Sequence, residues 1–143
     1  SDKTQLCHFS GDKSAYPVYL TISNISKSIC RKPSWGAQRL IGYLPTVTLD
    51  GTDLTNDAAR STRARLFHCA MRVICASLRD AGKNGVELTS GDGAVRLGFP
   101  ILAAYVADYP EQALITCTRY LQTCPKCGVV HDELGDHQIG DRR

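Results

Sequence analysis

The stretch that decides the reading is Phe99-Pro100-Ile101-Leu102-Ala103-Ala104-Tyr105-Val106-Ala107-Asp108-Tyr109-Pro110-Glu111-Gln112, followed by Cys124-Pro125-Lys126-Cys127. An apolar segment carries one carboxylate, Asp108, to its end. A buried element tipped by an acid is how nuclease-type folds present a metal ligand. A Cys-x-x-Cys begins sixteen residues after Asp108, and two cysteines at this spacing are how a chain opens a zinc site. Working outward, residues 100–107 are expected to be buried as strand or helix. Pro110 is expected to stop the element, biasing Tyr109 away from helical angles. Residues 113–118 (ALITCT) read as a short strand.

Upstream, residues 85–88 (GVEL) and 94–97 (AVRL) flank Ser90-Gly91-Asp92-Gly93, and an Asp-Gly between two apolar runs signals a hairpin. The clearest helix covers 58–81: Leu66, Phe67, Ala70, Val73, Ile74 and Leu78 recur every three or four residues. Gly82 then takes the place of a helix-ending glycine. Residues 16–25 (YPVYLTISNI) alternate and are rich in β-branched and aromatic types, which predicts a strand. Residues 37–44 (AQRLIGYL) suit strand or helix. Residues 1–15 and 48–59 read as loops and turns.

The 143 residues suit one domain with a real core. Apolar residues make up 43% and charged residues 22%, an ordinary globular mix. The net charge of +3 and a pI near 8.5 are mildly basic, a weak pointer to nucleic acid. No apolar run approaches a membrane span, and no signal peptide opens the chain. Seven scattered cysteines do not form a secreted disulfide pattern. The reading is a reducing compartment, nuclear or cytoplasmic.

Cys124-x₂-Cys127-x₃-His131-x₅-His137 offers four ligands for tetrahedral Zn²⁺, in a structural role, with Cys117 as an alternative ligand. Two reduced cysteines in an ordinary tail are the plain alternative. Lys27, Arg31, Lys32 and Arg39 cluster around Trp35; lysine and arginine neutralise phosphates and tryptophan stacks on bases. A solvated charged surface is the alternative there. Read by type alone, Asp108 is a cap or turn acid, Asp2 a turn acid, and Glu111 a solvated acid. A small-molecule substrate is not expected.

Three blocks, Ser1–Ser34 (SDKTQL…FSGDKSAYPVYLTISNISK…RKPS), Leu66–Arg96 (LFHCAMRVI…AGKNGVELTSGDGAVR) and FPILAAYVADYPEQ with CPKC, resemble the Plavaka group of fungal, CACTA-like DNA transposases. The resemblance implies a partial RNase H-like core; joined to the helix read from periodicity and the knuckle read from the Cys and His spacing, it makes the expected fold α/β, a partial RNase H-like mixed sheet with one long backing helix and a C-terminal zinc knuckle. It divides the chain into a core at 1–122 and a knuckle with a frayed tail at 123–143. It implies DNA as the partner and Mg²⁺ or Mn²⁺ bound by Asp2 and Asp108, which match the acids ending the first and fourth core strands. The ancestral reaction would be two-metal phosphodiester cleavage and strand transfer. The chain opens without an initiator Met and closes on a polar run, so both ends are expected to be cut from something longer. A central strand and a third acid are expected to be missing, and the chain is expected to be inactive alone. The alternative function is a non-catalytic, zinc-stabilised nucleic-acid- or protein-binding module.

Overall fold

The computed structural model describes residues 1, 3–6, 13–47, 53–127, 129–133 and 135–136. The elements in chain order are β1 (Thr4–Gln5), β2 (Ser14–Ala15), β3 (Pro17–Thr21), α1 (Lys27–Cys30), β4 (Gln38–Tyr43), α2 (Asn56–Ile74), α3 (Ala76–Asn84), β5 (Val86–Thr89), β6 (Val95–Gly98) and α4 (Tyr109–Ile115). The chain is therefore mixed α/β, as expected.

Among the described residues the strands form three separate two-stranded antiparallel sheets, β1–β2, β3–β4 and β5–β6, rather than one mixed sheet. Each strand pairs with the next strand in sequence, and because loop-closure entropy grows only slowly with length, even the longer β3–β4 connection costs little more than the short ones. The β5–β6 hairpin keeps the register read from Asp-Gly: Thr89 faces Val95 and Val86 faces Gly98. Residues 37–44 resolve as strand β4. Its ladder with β3 shifts between Val18 and Tyr19, leaving Ile41 as the extra residue of a bulge. Ile41 packs against the core.

That core is Val18 on β3, Leu44 just past β4 and Phe67 on α2, flanked by Tyr16, Ala70, Met71, Ile74, Leu114 and Ile115. Gly42 permits this packing, because a Cβ there would sit 3.0 Å from Ile74 Cγ1. The helix arrives as expected but with a different inner stripe. Phe67, Ala70, Met71 and Ile74 face inward, while Leu66 and Val73 are exposed. Thr55 caps α2 by accepting from the Ala58 amide at 3.3 Å. The helix breaks at Cys75 and resumes as α3. It ends at Gly85 (φ +76°) rather than Gly82, since only the former adopts the left-handed angle that a glycine tolerates.

Two expectations around the deciding stretch are corrected. Residues 99–107 form neither strand nor helix, and they are largely exposed: Ile101 is 87%, Leu102 79% and Val106 83% accessible. An apolar run becomes buried only where a neighbouring element covers it. Residues 113–118 are not a strand. Pro110 lies in the first turn of α4, where a missing N–H costs nothing, and it starts the helix that it was expected to stop.

Candidate acidic site and cysteine knuckle

Asp108 is the N-cap of α4, with extended backbone angles and Oδ1 accepting from the Glu111 amide at 2.9 Å. This satisfies one of the free donors of the first helical turn. It also fixes the plane of the carboxylate and engages one of its two oxygens. The Gln112 side chain donates to the Ala107 carbonyl at 2.8 Å, which holds the entry to the helix. Asp108 itself is exposed.

Glu111 is a correction to the solvated acid that the sequence suggested. It is 5% accessible. Tyr105 Oη donates to its Oε1 at 2.7 Å, and Ser1 Oγ donates to the same oxygen. Ser1 Oγ and Tyr105 Oη are also 2.6 Å apart. Burial, then the charge of Glu111 and a hydrogen bond to it, push the Tyr16 phenol well above its ordinary pKa. Burial likewise raises Tyr105 to about 12, with Ser1 opposing and Glu111 adding to the shift. Asp-x-x-Glu is the spacing of a helix N-cap and its third residue, the signal in the sequence that could have placed both acids at a helix start. Asp2 lies outside the described residues.

The cysteine pair sits in a tight reversal. Thr123 bridges Val130 antiparallel, and the Cys124 amide donates to the Val129 carbonyl at 2.8 Å. The Lys126 amide donates to Cys124 Sγ at 3.4 Å. That bond, followed by the amide and thiol of Cys127, holds the Cys124 thiol below its ordinary pKa. Amide donors aimed at a sulfur stabilise the thiolate that a metal requires. His131 Nδ1 lies 2.7 Å from the Leu121 carbonyl. The tautomer with Nδ1–H satisfies that carbonyl and leaves the Nε2 lone pair available as an acceptor or donor to a metal. His137 lies outside the described residues. Among the described residues no set of three or more His, Cys, Asp or Glu side chains is assembled to hold an ion.

The basic residues lie on the long connection between β3 and β4 and at its return. Lys27 is on α1, Arg31 caps it, and Arg39 is on β4. All of Lys27, Arg31, Lys32 and Arg39 are exposed. Lys32 Nζ stands 4.7 Å from the Trp35 ring centroid, a cation–π contact. Gly36 (φ +61°) turns the chain so that β4 returns beside β3, and the Arg39 guanidinium packs beside it. No acidic residue occurs between Asp12 and Asp50, so this hairpin is uniformly positive.

A groove of about 560 Å³ runs between α2 and α4, lined in part by Arg60, Arg65, Arg72, Leu114 and Tyr120. Two of its lining residues, His68 and the exposed Cys117, bring Nε2 and Sγ within 3.4 Å of each other. Cys117 adopts φ +56°, because it follows α4 at the left-handed position of a helix end. Its amide donates to Leu114 at 3.2 Å, and the Thr118 amide donates to Ala113 at 2.9 Å. Among the described residues no helix is long and apolar enough to cross a membrane.

Searches of curated proteins and of solved structures found no match to the chain. The family model described as Plavaka transposase matches residues 1–143. With the match spanning the whole chain, from the Asp2 block through the Cys124–Cys127 pair, this protein belongs to the Plavaka transposase family.

Proposed function

We propose that the chain is part of a DNA transposase catalytic core of RNase H-like type, with residues 1–122 contributing to the core and 123–143 forming a zinc-held knuckle. Asp2 and Asp108 bind Mg²⁺ or Mn²⁺, and the reaction served is phosphodiester cleavage and strand transfer on DNA. The observation carrying this reading is a contact across the chain. Ser1, the covalent neighbour of Asp2, hydrogen-bonds Glu111, one helical turn from Asp108. Two segments that carry family motif blocks thus meet, although 110 positions separate Ser1 from Glu111. Asp108 fits the role chemically. Its Oδ1 is occupied by the Glu111 amide, and a hard divalent cation needs only one carboxylate oxygen while keeping several waters.

The metal, when bound, would activate the attacking oxygen and stabilise the leaving one. The protein's part is to orient Asp108 through its cap bond and to bring DNA in with Lys27, Arg31, Lys32 and Arg39. Cys124 and Cys127 would hold Zn²⁺ with His131 and His137; the depressed Cys124 pKa and the free Nε2 of His131 favour this. The protein would work in a reducing compartment, nuclear or cytoplasmic.

Mn²⁺ binding followed by electron paramagnetic resonance tests the acidic site. Asp108→Asn, which keeps the cap acceptor but removes the charge, is expected to weaken Mn²⁺ at least tenfold. Equal affinity in the two proteins would exclude Asp108 as a ligand. The second reading, a zinc-stabilised binding module without catalysis, is favoured by the knuckle geometry, and Mn²⁺ indifference with stoichiometric zinc would select it.

A further inference from the structure

The groove between α2 and α4 is used by none of the acidic site, the knuckle and the basic hairpin. Its volume, about 560 Å³, lies within the range of roughly 300–1,000 Å³ that receives a ligand. One wall is α2. Its Phe67, Met71 and Ile74 turn to the core, while positions 65, 68, 69 and 72, spaced i, i+3, i+4 and i+7, form a separate face along the groove. The other wall is α4. Tyr120 lines the groove beyond α4, its ring 5.3 Å from that of Tyr109.

Apolar surface and positive charge meet here. Ala64, Pro110, Ala113 and Leu114 give an apolar lining, and Arg60, Arg65 and Arg72 stand around it; among the described residues none that lines the groove is acidic. Asp57 attends Arg60 at 3.5 Å. The ion pairs among the described residues include neither Arg65 nor Arg72, and both are exposed. These two arginines are seven residues apart, about 10.5 Å along the helix axis. A helix laid beside α2 repeats its acidic positions at the same interval, and its apolar face covers the alanine and leucine lining. A nucleic-acid backbone would meet the arginines and leave that lining in water.

We propose that this groove docks an acidic amphipathic helix of a partner protein, with apolar side chains set against Ala64 and Leu114 and carboxylates paired to Arg65 and Arg72. The planar guanidinium suits a carboxylate. The charge pairs fix orientation and partner choice, and the buried apolar contact supplies most of the affinity. The docking needs no metal and stands apart from the acidic-site reading.

The probe is a fluorescein-labelled helical peptide with leucines at i, i+3, i+4 and i+7 and glutamates flanking them. A second peptide carries lysine in place of every glutamate, and a third probe is labelled oligothymidine. Fluorescence anisotropy reads affinity for the full chain. Mass spectrometry reads alkylation of Cys117, which is exposed in the groove, against Cys30, which does not line it. The glutamate peptide is expected to bind and to slow Cys117 alkylation at least fivefold with Cys30 unchanged. Combining Arg65→Glu with Arg72→Glu is expected to weaken it at least tenfold, and the lysine peptide is expected not to bind. Equal affinity for the two peptides, an unprotected Cys117, or undiminished affinity in the charge-reversed variant would each overturn the proposal. Tighter binding of oligothymidine, lost in the same variant, would make the groove a nucleic-acid surface and overturn it too. A dimer seen by light scattering that shields Cys117 and dissociates in that variant would give the groove to a second copy, with the same consequence. Should the reversed variant fail to fold, Arg65→Gln with Arg72→Gln replaces it, and unchanged affinity there refutes the pairing.

Discussion

Replacing Asp108 separates its two duties. In Asp108→Ala the Glu111 amide loses its 2.9 Å acceptor, and an N-cap of this kind is worth about 1 kcal/mol. The carboxylate also places a negative charge at the positive end of α4, worth roughly 0.3–1 kcal/mol at an exposed position. Fraying of α4 is transmitted to the core, because Ala113 is buried and Leu114 and Ile115 pack on Val18, Leu44 and Phe67. Asp108→Ala is therefore expected to cost about 1.5 kcal/mol, combining cap and charge. Asp108→Asn, which retains an acceptor oxygen, should cost about 0.5 kcal/mol. Urea unfolding followed by circular dichroism measures both, with a Tm shift of about 3–6 °C for the alanine variant. Equal losses in the two variants would refute the cap assignment. Equal losses together with unimpaired Mn²⁺ binding would leave Asp108 neither role.

The knuckle predicts that purified protein carries about one zinc per chain, that Cys124→Ser and Cys127→Ser release it, and that metal-free protein is alkylated first at Cys124, whose pKa is lowered; mass spectrometry of the labelled peptides checks the order. Replacing Lys27, Arg31, Lys32 and Arg39 together by Gln should flatten the dependence of log K for DNA on log salt by about 0.9 for every phosphate that is no longer neutralised, as read by fluorescence anisotropy at several salt concentrations; an unchanged slope places the DNA elsewhere. Asp92, held by the Arg96 guanidinium at 2.6 Å and by the Ala94 amide at 3.1 Å, titrates at about 2. A carboxyl whose folded pKa lies below its unfolded value adds stability above the unfolded value and loses it as pH falls through the folded one. The β5–β6 turn should therefore weaken between about pH 4 and about pH 2, and the Asp92 NMR titration in Arg96→Ala should move upward. Cys117→Gly should raise stability by about 1 kcal/mol by relieving its left-handed backbone; a loss instead would mean that the His68 contact outweighs the strain.

What could be read from the residues was largely what the chain decides locally. Asp-Gly between two apolar runs placed the β5–β6 hairpin, and the three- and four-residue spacing placed α2. The errors came where distant partners decide. Periodicity gave the right helix, but Leu66 and Val73 face outward because β3 and β4 cover only the side bearing Phe67, Met71 and Ile74. Pro110 by type reads as a terminator, yet Asp108 two positions earlier and Glu111 one position later make a helix start. The burial of Glu111 could not be seen, because its partners lie at positions 1, 16 and 105. The family was legible from three motif blocks, and its model matches the whole chain. The candidate metal ligands are not drawn into one set among the described residues, since convergence of side chains is set by the fold and not by spacing.

The exposed run 99–107 carries no charge, and its ends show how such a run is kept in check. Pro100 near one end cannot donate to a ladder, and Asp108 and Pro110 close the other. Residues of these kinds act as gatekeepers that shorten the stretch available to fibril-forming contacts. Solubility of the protein therefore depends on residues that lie outside its core. Exchanging Pro100 for valine would lengthen the adhesive run and turn a dispersed preparation into aggregates while leaving the fold of the rest unchanged.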